Sequence, residues 1–194
     1  LLLSMGDLAA QRQGGTWTSI FNPESLSNSF SAVVWIIWVQ ALALLGLPLS
    51  LFIFKALPDR GYLLSKPLSI LLVAYIAWLF ASFQWMPFSG NSVVLAALLV
   101  ATASLIVVYT RRVDVSAFLR ENLRLVVIGE AIFMSSFLLF LLIRAANPDL
   151  WHPFQGGEKP MELAYLNAVV RSTYMPPYDP WFAGGYINYY YFGY

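Results

Sequence analysis

Residues 32–54 read AVVWIIWVQALALLGLPLSLFIF. The run holds one amide, Gln40, one hydroxyl, Ser50, and no charge. It is longer than the roughly 20 apolar residues that cross a bilayer. In lipid a backbone must satisfy its own polar groups, so a lone apolar run of this length is a helix. Pro48 removes one N–H near its end and is expected to kink it.

Working outward, three more stretches have the same character: 67–86, with Trp78 and Trp85 towards its far end, then 92–109 and 123–143. The composition agrees. Hydrophobic residues make up 59% of the 194 positions and charged residues 11%. A soluble domain carries about 25% charged residues. The expected fold class is all-α: a polytopic membrane helix bundle with four complete transmembrane helices and the start of a fifth. The expected divisions are a polar external segment (1–29), the four-helix membrane region (30–145), an external acidic loop with a short interfacial helix (146–185), and the start of a fifth helix (186–194). Leu1-Leu2-Leu3 opens the chain without a Met, and Tyr194 closes it inside an apolar run. An internal piece of a longer membrane protein is expected.

Orientation follows from cations in short loops. Lys55, Arg60 and Lys66 follow the first span, and Arg111, Arg112, Arg120 and Arg124 follow the third. The turn between the second and third spans has none. Both basic loops are therefore expected in the cytoplasm and 146–185 outside a cell membrane crossed several times.

Several classes of chemistry are excluded. A net charge of +1 with no basic arm leaves nucleic acid without a partner surface. The absence of cysteine removes disulfides, thiolate metal sites and cysteine nucleophiles. One histidine, His152, cannot build a multi-histidine metal centre, and no glycine-rich phosphate loop is present. No metal site is assigned. Carboxylates suit Mg²⁺ or Mn²⁺, so such a divalent cation is the one cofactor left open. Membrane lipids are the expected partners, and the sequence names no protein partner.

The expected external loop differs from the rest of the chain. It holds four of the ten carboxylates, Asp149, Glu158, Glu162 and Asp179. The stretch EKPMELAYLNAVVRS reads as a short amphipathic helix with Pro160 at its start, where a missing N–H costs little. Glu162 then lies in the first turn, favourably placed against the helix dipole. Met161, Tyr165, Ala168 and Val169 share a face suited to the membrane surface. TYMPPYDPW follows as a proline-stiffened turn. Gly184-Gly185 permits close backbone approach, and Tyr186, Tyr189, Tyr190 and Tyr191 supply amphipathic rings.

The stretch ANPDLWHPFQGGEKPMELAYLNAVVRSTYMPPYDPWFAGGYINYYYFGY resembles the "YYY" membrane proteins, an uncharacterised multi-pass family of bacteria and archaea. LPDRGYLLSKPLSILLVAYIAWL is similar to that family's first cytoplasmic loop and second span, and Tyr189-Tyr190-Tyr191 matches its namesake run. The family usually has Asp where this chain has Glu162. Its layout is similar to the GT-C membrane glycosyltransferases, which use lipid-linked sugars and carry an active-site carboxylate in an external loop. The loop here follows the fourth span rather than the first.

That resemblance implies an enzyme transferring sugar from a polyprenyl-phosphate donor at the external face. Glu158, Glu162 and Asp179 are the candidate catalytic bases. Arg144 and Arg171 are candidate phosphate partners, and Tyr189, Tyr190 and Tyr191 candidate substrate contacts. Two alternatives stand beside it: a non-catalytic component of a membrane complex, and a transporter with Glu130 in its pathway. Glu130 is an intramembrane carboxylate about 10 Å from the start of its span. It is expected to pair with a polar group on a span outside this sequence.

Overall fold

The computed structural model describes residues 25–147, 159–188 and 191–193. Among these residues all regular secondary structure is helical. In order come α1 (Leu26–Ser29), α2 (Ser31–Ile53), α3 (Ser65–Ser82), α4 (Gly90–Arg111), α5 (Val115–Glu121), α6 (Leu123–Ala146) and α7 (Lys159–Arg171). Helices α2, α3, α4 and α6 are long and apolar enough to cross a membrane. Each coincides with an expected span to within a few residues. Pro48 is accommodated inside α2 without ending it.

The chain divides into two compact units. One consists of Ala32–Ala74 and Ala96–Pro148. Its core is Leu47, Leu51, Tyr62, Val113 and Phe118. Helices α2 and α3 meet closely here, because Gly46 has no side chain: a Cβ on it would lie 2.0 Å from Ser69 Oγ. Small residues at such crossings let backbones approach where lipid provides no hydrophobic drive. The turn that joins these helices is held by Asp59, whose carboxylate accepts from the Gly61 and Leu63 N–H groups, both at 3.1 Å. Gly61 has φ +77°, which glycine adopts without strain. Its carbonyl accepts from Ser50 Oγ at 2.6 Å. The same unit contains α5, a short helix within what reads as a plain basic loop. Asp114 caps it by accepting from the Ala117 N–H at 2.8 Å, and Phe118 anchors it in the core.

The second unit consists of the described parts of Leu1–Ser31, Tyr75–Leu95 and Asp149–Tyr194. Its centre is Ala81, Val169 and Met175, against which Trp78, Phe88 and Tyr191 pack. The α7 helix forms where its composition places it, with Glu162 in the first turn and Arg171 in the last. Its apolar face, however, meets protein. Val169 is buried, and Met161, Tyr165 and Ala168 are half-buried. The face expected to rest on a membrane surface is largely covered by the chain itself, because the end of α3 and residue Met175 fill it.

Beyond α7 the chain runs in turns. Among the described residues of 186–194, Tyr186 forms an isolated bridge, 187–188 have no regular structure and 192–193 form a turn, so none of them is helical. Tyr186 instead pairs with Tyr178 in an isolated antiparallel bridge. The Ile187 N–H donates to the Pro177 carbonyl at 2.8 Å.

Candidate functional site

Two polar arrangements are present, one in each unit. The first surrounds Glu130. One carboxylate oxygen accepts from Gln40 Nε2 at 2.5 Å. The other accepts from Tyr62 Oη at 2.8 Å and from Lys66 Nζ, which completes an ion pair. Lys66 also lies 4.6 Å from the centre of the Phe133 ring, within reach of a cation–π attraction. Burial and the adjacent Glu130 carboxylate push the Tyr62 phenol well above its ordinary value, so it remains a donor. The expected partner on a span outside this sequence is thus corrected. Glu130 is satisfied by an amide on α2, a cation at the start of α3 and a phenol from the intervening turn. Gln40 and Lys66 were the available signals, as polar groups in or beside apolar runs.

The second arrangement is a turn. Asp179 Oδ1 accepts from the Trp181 N–H at 2.8 Å and the Phe182 N–H at 3.0 Å. The Asp179 N–H donates to the Gly185 carbonyl at 3.0 Å. Gly184, at φ +85°, supplies the left-handed step that closes the loop. Among the described residues Asp179 Oδ2 takes no hydrogen bond, so a fixed carboxylate keeps one oxygen for other donors. Beside it the side chains of Trp181 and Phe182 are 59% and 67% exposed. The Tyr178 and Tyr186 rings stack 5.6 Å apart beneath the turn. Buried Ser172 accepts from the Tyr178 N–H at 3.1 Å and ties the turn to the end of α7.

The Trp181 ring meets Tyr165 of α7 edge-on, with centroids 5.1 Å apart. Tyr165 lies three residues after Glu162, on the same side of the helix. The structure therefore brings the elements carrying Glu162 and Asp179 together. Glu162 and Arg171 are exposed on α7. Arg144 belongs to the other unit, where its Nη1 donates to the Asn147 carbonyl at 2.8 Å. Tyr191 Oη accepts from Trp78 Nε1 at 3.2 Å, which places Tyr191 in packing around the end of α3. Glu158, Tyr189 and Tyr190 lie outside the described residues. Among the described residues no three His, Cys, Asp or Glu side chains gather as a metal site.

Neither the curated proteins nor the solved structures contain a match to this chain. One family model does match, over residues 72–194. That is well over half of the chain, and it spans α4 to α7 together with the Asp179 turn. The chain belongs to the family described as uncharacterized membrane protein (DUF2298).

Proposed function

We propose that this multi-pass membrane protein is a glycosyltransferase of GT-C-like design, using a polyprenyl-phosphate sugar at the external face. The observation that carries the reading is the Asp179 turn: a carboxylate pinned through one oxygen, its other oxygen accepting no hydrogen bond among the described residues, beside two exposed aromatic residues. Aromatic rings stack on the apolar face of a sugar, and a carboxylate accepts from its hydroxyls. In the reaction, Asp179, Glu162 or Glu158 takes the proton of the acceptor hydroxyl. The acceptor oxygen bonds to the anomeric carbon, and the bond from that carbon to the phosphate oxygen breaks. Arg171 pairs with the departing lipid phosphate. A divalent cation, if bound, would be held by the Asp179 carboxylate and would offset charge on the phosphate.

The transporter reading is less well supported, because both oxygens of Glu130 are engaged by groups of the chain. Such a cluster serves better as a clamp between helices than as a step on an ion pathway.

A photoreactive polyprenyl-phosphate sugar tests the proposal. Crosslinks are expected within residues 178–186. An impermeant thiol reagent applied to intact cells should label Asn91→Cys and spare Arg112→Cys. Crosslinks confined to the basic loops, or the opposite labelling pattern, would contradict the reading.

A further inference from the structure

Along α6, Leu125, Ile128, Gly129 and Ile132 recur on one face at the spacing of a helix and floor a groove. The floor is about 10 Å long. Leu63 forms the facing wall of this open groove, whose volume is about 430 Å³. Ligand sites commonly enclose about 300–1,000 Å³. Leu63 packs directly over Gly129, where a Cβ would lie 2.6 Å from Leu63 Cδ2.

The groove is not uniformly apolar. Its end at the start of α6 is flanked by Glu121 and Arg124. Both are exposed, and among the described residues neither has an ion-pair partner. Two unlike charges therefore flank one end of an apolar groove on an exposed face of α6.

We infer that this groove binds one aminophospholipid, with the phosphate on Arg124, the primary ammonium on Glu121 and an acyl chain along Leu125, Ile128 and Ile132. A cation alone would accept any phospholipid. The adjacent carboxylate repels a headgroup with net negative charge and rewards one that carries an N–H donor. A quaternary choline has no N–H to donate. Phosphatidylethanolamine chemistry satisfies all three features. The assignment is independent of the sugar-transfer reading, because it uses only residues of the other unit.

The test is native mass spectrometry of the full chain released from micelles holding equal amounts of phosphatidylethanolamine, phosphatidylglycerol and phosphatidylcholine. Wild type should retain phosphatidylethanolamine over phosphatidylcholine by about tenfold, the scale of one charge-assisted hydrogen bond. Arg124→Gln should lower retention of all three lipids. Glu121→Gln should abolish the preference, so that phosphatidylethanolamine is retained no better than phosphatidylcholine. Ile132→Trp fills the groove from a position already exposed to lipid, and should lower all retention with the melting temperature unchanged. Equal retention of the three lipids by wild type overturns the inference. So does a preference that survives in Glu121→Gln, or full retention by Ile132→Trp.

Discussion

Lys66 and Glu130, 64 positions apart, form an ion pair that fastens the start of α3 to the interior of α6. Gln40 and Tyr62 complete the shell, so the cluster joins two membrane helices and a turn to a third. A carboxylate in an apolar setting is costly when stripped of partners, and its partners are costly when stripped of it.

Glu130→Leu should therefore destabilise the chain by about 2–4 kcal/mol, because it strands a cation, a phenol and an amide at once. Glu130→Gln retains a hydrogen-bonding group and should cost less. The double variant Lys66→Met/Glu130→Leu should be milder than the sum of its parts. Thermal unfolding in detergent reads all of these. Equal tolerance of Gln and Leu at position 130 would show that the site needs no polar group.

The crossing of α2 and α3 rests on Gly46. Gly46→Ala places a methyl 2.0 Å from Ser69 Oγ, an overlap that costs about 1–3 kcal/mol unless the helices part. Adding Ser69→Gly removes the obstructing atoms and should restore part of the lost stability. A Gly46→Ala protein that melts like wild type would place the two helices farther apart than described.

Asp114 gives a pH signature. The Ala117 N–H foremost, and the Ser116 hydroxyl after it, hold its carboxyl below the usual carboxylate range. A depressed folded value means that the cap is fully effective above the ordinary aspartate pKa. Its contribution is lost as pH falls through the lower folded value. The protection factor of the Ala117 amide, its exchange rate corrected for the intrinsic pH dependence, should thus be flat near neutrality and fall only below about pH 4. Asp114→Asn still caps but cannot titrate, so its protection should lack that step. A fall already at neutral pH would contradict the assignment.

How much of this was legible in the sequence depends on the range of the forces involved. Residues 32–54 announce a membrane helix by composition alone, and the other three spans do likewise. The α7 helix was equally readable, from Pro160, Glu162 and Arg171. What covers its face was not. Val169 meets Ala81 and Met175 through tertiary placement, and no local pattern records that. The partners of Glu130 were hidden for the same reason: they lie 64 to 90 positions away. Asp179 stood out in the sequence as an acid among prolines and aromatics. Its role as the acceptor for two backbone N–H groups emerges only once the turn is built. Tyr186 reads as apolar helix by composition, yet it forms an isolated bridge to Tyr178.

The central claim is that the Asp179 turn and its neighbours transfer sugar. The most direct measurement supplies the protein with radiolabelled polyprenyl-phosphate sugars and follows label into acceptor, comparing wild type with Asp179→Asn, Glu162→Gln and Glu158→Gln. Asp179→Asn preserves the oxygen that accepts from Trp181 and Phe182, so the turn and the melting temperature should stay near wild type. Wild type should transfer sugar, and at least one amide variant should lose about 100-fold or more in rate, the scale of a missing general base. No transfer from any donor by wild type, or full activity in all three variants, would contradict the account.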